Sequence, residues 1–219
     1  MLALSGCLGR DMAGGTEVLS DPVGRRLNWF AYLDGADIKR TCRPDGDDRA
    51  RMVLNGRYTD QVRTYDLRDG GGGGTATLET HVFSGLQVNA GFTPGSLGDV
   101  LSGRPQDLRL GRAETDALWA ALRASGAFEG APKGLRLDSE EVYWIAVGCR
   151  DGAVFFNAWR HPSPGFDRLT FPEVLKRAER SDVSWPRLDE PVDVFRQKDI
   201  REGERPHFEV EVATQGIVR

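Results

Sequence analysis

Residues 142–149 and 153–159 are almost wholly apolar and are separated only by Arg150-Asp151-Gly152. Two short apolar runs joined by an Asp-Gly turn read as a β-hairpin. The near absence of polar positions places that hairpin in the interior of a sheet, as the core of the domain. A second hairpin is expected over residues 49–54 and 61–67, where apolar and polar positions alternate on either side of Asn55-Gly56, a strong short-range turn signal. Further strands are expected at 26–33, which is aromatic and bounded by Asp34-Gly35, at 75–83 and at 207–212.

Helical signals are fewer. Residues 112–125 place Ala117, Leu118, Ala121 and Leu122 on one face, carry Glu114 and Asp116 near the positive end, and stop at Gly126. Thr170-Phe171-Pro172-Glu173 has the pattern of a capping box with an early proline, launching a short helix through Val174, Leu175 and Ala178. A turn or two of helix over 35–41, behind a cap at Asp34, is ended by Pro44. The run of five glycines after Asp69 cannot hold regular structure against its backbone entropy, so 69–74 is a flexible loop or boundary. Leu, Ile, Val and Phe make up 52 of 219 residues, above the roughly 20% below which a charged chain stays disordered. The whole points to one α+β domain over 22–219, an antiparallel sheet of five to seven strands with two helices packed on one face.

Leu4-Ser5-Gly6-Cys7 resembles the lipobox of bacterial lipoproteins, in which an apolar and two small residues precede the cysteine that becomes lipidated. Residues 8–21 are short, polar and glycine-containing, suited to a tether between anchor and domain. Only six residues precede Cys7, short of an apolar signal core of about 7–15 residues, so the resemblance implies a translation start further upstream. With Cys7 taken by lipid, Cys42 and Cys149 form an even pair, as an oxidising compartment would leave, and a disulfide between them is expected to tie the N-terminal helical turn to the apolar hairpin. The alternative is two buried free thiols in a cytosolic protein.

Thirty-three acidic residues against 29 basic ones give a net charge of −4, and the arginines are interleaved with Asp and Glu, so no nucleic acid is expected as a partner. The glycine run lacks the Lys-Ser/Thr of a phosphate loop. There is no G-x-S-x-G or S-x-x-K, and the three histidines are too dispersed for a local metal motif. No metal or cofactor is therefore expected. Trp29, Tyr32, Trp144 and Trp159, with His161 at a strand end, are the candidates for a binding cleft. The resulting functional expectation is an envelope lipoprotein on the periplasmic face of a bacterial membrane, held by a lipid anchor and acting by binding or structural association. Its ligand, protein or small molecule, is unspecified. The alternatives are a periplasmic hydrolase with an acid/base pair around His161, and a cytosolic interaction domain.

Overall fold

The computed structural model describes residues 30–58, 60–70, 75–84, 106–188 and 208–218. Cys7, Trp29, the tether and residues 71–74 of the glycine run lie outside the described residues. In chain order the elements are α1 (Ala36–Thr41), β1 (Asp48–Gly56), β2 (Gln61–Asp69), β3 (Ala76–Ser84), β4 (Gln106–Leu110), α2 (Arg112–Ala124), β5 (Leu135–Asp138), β6 (Val142–Arg150), β7 (Ala153–Arg160), α3 (Pro164–Asp167), α4 (Phe171–Ala178), β8 (Glu209–Ala213) and β9 (Gly216–Val218).

Six strands form one antiparallel sheet in the order β4-β3-β2-β1-β6-β7, and β5-β8-β9 form a second antiparallel sheet. The apolar hairpin turns as its sequence demands. Asp151 (φ 52°) and Gly152 (φ 75°) are both left-handed, the conformation of a two-residue turn whose twist matches the flanking strands.

Alternation along the strands separates two cores. Met52, Leu54, Tyr65, Leu67, Trp144 and Phe155 face one way, toward Leu118 and Leu122 of α2 and Phe171 and Leu175 of α4. Val53, Ile145, Val147 and Phe156 face the other way, toward Leu33 and toward Leu137, Val210 and Val212 of the second sheet. The two expected helices do share one face. The second sheet on the opposite face is an addition that the sequence reading did not contain, because β5 and β9 are four and three residues long and acquire strand character only through pairing. Asp34 helps to seat that sheet, accepting hydrogen bonds from Lys39 Nζ (2.7 Å) and from the Ile217 amide (2.9 Å). No helix among the described residues is long and apolar enough to cross a membrane.

The expected disulfide is formed. Cys42, at the C-terminal cap of α1, is bonded to Cys149 near the end of β6, with Cα atoms 5.5 Å apart. Beside it the Asp151-Gly152 turn meets the chain that leaves α1: a Cβ on Gly152 would lie 2.6 Å from the Pro44 nitrogen.

Five local expectations are corrected. Residues 30–33, the described part of the expected strand at 26–33, are helical, and the Asp34 amide donates to the Phe30 carbonyl (2.8 Å). Phe30 and Leu33 are three apart, a spacing that suits one helical face as well as a strand, and so short a run does not separate the two. Asp34 does not cap α1, whose cap is Gly35 at φ 66°. Asn55-Gly56 is not the turn of the first hairpin. It continues β1, and the link is 57–60, with Arg57 left-handed at φ 64°. Asn55 is fully buried, and its Nδ2 donates to the Ser139 carbonyl (2.9 Å) and the Glu141 carbonyl (2.7 Å). Those bonds hold it in the strand, while Gly56 admits Pro186, whose Cγ would lie 2.7 Å from a Cβ there. Finally, Thr170 makes no side-chain cap on α4. Ser125 Oγ, from the end of α2, accepts from the Thr170 amide (2.9 Å), and Thr170 Oγ1 donates back to the Ala121 carbonyl (3.1 Å), so the cap is tertiary rather than local. On α2 itself Trp119 is buried where Ala117 was expected.

Candidate functional site

The helix-covered face of the main sheet holds a cleft of about 310 Å³ beside β1 and β6. Its floor is apolar because Leu54 and Trp144 fall on the same side of adjacent antiparallel strands, directly opposite in register. Phe166, Leu169 and Pro172 close one side, from α3 and the start of α4. The chain after α4 closes the other with Trp185, Pro186 and Leu188. Three charged side chains stand at the rim: Asp167, Glu173 and Lys176. Lys176 Nζ bonds Glu173 Oε1 (2.8 Å) and lies 5.1 Å from the centre of the Trp185 ring.

The wall that carries Trp185 is fastened from below. Arg63, on β2, is fully buried and points to the same face as Tyr65 and Leu67. Its guanidinium donates to Glu179, to Gln61 Oε1 (2.9 Å) and to the Val183 and Ser184 carbonyls (2.6 and 2.9 Å), and it lies 4.7 Å from the Trp185 ring centre. Tyr65 donates its hydroxyl to the second oxygen of Glu179 at 2.5 Å. Burial, then the Glu179 charge, push the Tyr65 hydroxyl well above the ordinary tyrosine range, so it remains a donor. Both terminal nitrogens of Arg63 hold residues 179–184 against the sheet, and its Nε bonds Gln61 on its own strand. The arrangement therefore positions a wall rather than presenting a free charge.

The expected cleft residues are divided by the sheet. Trp144 is 2% exposed and forms part of the cleft floor, stacking edge-on with Phe171 (5.0 Å) and lying 6.1 Å from Trp185. Trp159 is on the same face but behind Phe171 (5.7 Å), in the core. His161 packs edge-on against Phe166 (5.1 Å) and makes no side-chain hydrogen bond or ion pair among the described residues. Tyr32 lies on the opposite face, where its hydroxyl donates to Asp66 (2.7 Å) under the Arg51 guanidinium, 3.7 Å from the ring centre. Arg51 also binds Asp66 (2.9 Å) and both oxygens of Asp37 (2.8 and 3.1 Å). Partial burial pushes the Asp37 carboxyl up, but hydrogen bonding and charge from Arg51, with Arg49, outweigh it and hold the group below the usual carboxylate range.

Trp185, Arg63 and Glu179 were not singled out from sequence. Trp185-Pro186 in a polar stretch was a signal, since an aromatic residue outside any periodic element needs a packing partner. Arg63 was another, being a charge in phase with Tyr65 and Leu67. The acidic groups at 45–48 and 138–141 lie in a turn that leads into β1 and in the turn from β5 to β6, with Asp48 bonded to Arg150 (2.9 Å) and to the Asp151 amide (2.7 Å). Among the described residues no cluster of His, Cys, Asp or Glu could hold a metal ion. Comparison with protein families, with curated proteins and with solved structures finds no match to this chain in any of the three.

Proposed function

We propose that this chain is a lipid-anchored domain of a bacterial cell envelope that acts by binding, with the Trp144–Trp185 cleft as its ligand site. The observation that carries the reading is the Cys42–Cys149 bridge. Disulfides persist in oxidising compartments and are rare in the cytosol of mesophiles. Of the three cysteines in the chain, the bridge leaves Cys7, in Leu4-Ser5-Gly6-Cys7, as the one without a partner in it. Lipoprotein modification supplies more than one acyl chain, which stable anchoring needs. Expressed from its own locus in its native host, the protein is expected to incorporate labelled palmitate and to lose that label on Cys7→Ser. A wild-type protein that stays unlabelled beside a labelled control lipoprotein would remove the anchor.

For the cleft, the ligand class we propose is a small aryl or alkyl amine. The floor and walls are apolar, Glu173 is neutralised by Lys176, and the exposed Asp167 carboxylate at the rim has no ion-pair partner among the described residues. The ligand would bury its apolar body against Trp185 and set its ammonium beside Asp167. Titration followed by tryptophan fluorescence should saturate with aryl amines and not with carboxylates of the same shape. Trp185→Ala should weaken binding about tenfold, the equivalent of about 1.4 kcal/mol. Equal responses to amine and carboxylate would contradict this assignment of the ligand.

A further inference from the structure

On the face of the main sheet opposite the cleft, the second sheet and the N-terminal helical segment cover β7, β6, β1 and most of β2, while the end of β2 with β3 and β4 carries charges in an ordered pattern. Arg49, Arg68 and Arg109 fall in one row across the strands with Thr77, each directly opposite the next in register. Arg51, Asp66, Glu79 and Asp107 form the neighbouring row, its β1–β2 end a buried Arg51–Asp66 ion pair and its β3–β4 end acidic. The rows are two residues apart on β2, β3 and β4, or about 7 Å. Like charges directly opposite one another destabilise a sheet, so Arg49 opposite Arg68 and Glu79 opposite Asp107 need compensation. Part of it is internal: Arg49 meets Asp37 (3.4 Å), Asp66 meets Arg51 (2.9 Å) and Glu79 meets His81 (2.8 Å). Arg68, Arg109 and Asp107 are exposed and have no ion pair among the described residues.

We propose that this face is the interface of a symmetric homodimer. A two-fold axis lying between two facing sheets, parallel to the rows and midway between them, sets the basic row of one copy over the acidic row of the other, and the reverse. Such an isologous contact is self-complementary. The occupant follows from the pattern: a uniformly anionic membrane or a nucleic acid would match the arginine row and be repelled by the acidic row beside it. A second copy satisfies both. Because the contact is charged and exposed, it is salt-sensitive, and electrostatic matching governs its specificity.

The test is sedimentation equilibrium of the full chain carrying Cys7→Ser, which excludes dimers linked through that thiol. The parent protein is expected to dimerise at about 20 mM salt and to dissociate by about 0.5 M, where charges are screened within roughly 4 Å. Two double variants reverse one row each, Arg68→Glu with Arg109→Glu, and Glu79→Arg with Asp107→Arg. Each alone should be monomeric, its dimer dissociation constant raised at least tenfold, with the melting temperature confirming that the exposed changes leave the fold intact. Mixed in equal amounts, the two variants present opposite signs to each other and should recover a heterodimer. A parent chain that stays monomeric at low salt, a dimer indifferent to either reversal, or a mixture that stays monomeric would each overturn the proposal.

Discussion

Replacing Cys42 and Cys149 together by alanine lowers the stability of this chain by about 4 kcal/mol, and its melting temperature by roughly 10 °C for a domain of this size. The bridge spans 107 residues of sequence, and cross-linking so long a loop removes much of the freedom of the unfolded chain. The chain-entropy relation gives about 4.7 kcal/mol for a 100-residue loop, reduced where the unfolded state is already compact. Against a typical total of about 5–15 kcal/mol, that is a large fraction. The link joins α1 to β6, a central strand, so its loss also releases the segment that carries Tyr32 and Asp37 onto Arg51. Urea unfolding of the oxidised and double-alanine proteins measures the difference, and midpoints that coincide would show that the bridge contributes nothing.

The second large effect lies under the cleft wall. Arg63→Met should cost about 4 kcal/mol, because Glu179, whose side chain is 2% exposed, loses its charged partner in the core and retains only the Tyr65 hydroxyl. The guanidinium's bonds to the Val183 and Ser184 carbonyls are lost at the same time. Adding Glu179→Gln to Arg63→Met should recover a substantial part of the loss, since the uncompensated charge is then gone. A double-mutant cycle in urea checks this. Strictly additive losses would mean that the two groups are not coupled. Arg63→Met should also weaken any ligand that contacts Trp185, whereas the disulfide variant, distant in the fold, should not.

The parts of this fold legible in the sequence are those whose signal is local and periodic. The hairpin of β6 and β7 was marked by two apolar runs and an Asp-Gly turn, and α2 by its apolar face. The disulfide was legible through the counting of cysteines rather than through any pattern around them. Where the reading departed from the structure, a distant partner had overridden the local cue. Asn55 is held in β1 by the carbonyls of residues 139 and 141, and α4 takes its cap from Ser125. On β2 the apolar residues Val62, Tyr65 and Leu67 do not keep a single phase, because both faces are covered, with Gln61, Arg63, Tyr65 and Leu67 on one side and Val62, Thr64 and Asp66 on the other. A strand buried on both faces hides its alternation, and with it the meaning of a charged residue such as Arg63. The cleft was half legible for the same reason. Aromatic density drew attention to Tyr32, Trp144 and Trp159, but the sheet assigns one of them to each of three places: a polar network, the cleft floor and the core. Trp185 completes the site from a segment without periodicity.

The central claim, a disulfide-tied domain held in an oxidising envelope by its one remaining cysteine, is tested most directly by the chemical state of all three cysteines in the native cell. Cells are quenched in acid, free thiols are alkylated, and the protein is digested without reduction for mass spectrometry. The account predicts a linked peptide pair joining Cys42 to Cys149, no alkylation at either, and an acylated Cys7 at the mature N-terminus. Three alkylated cysteines, with residues ahead of Cys7 still attached, would contradict it.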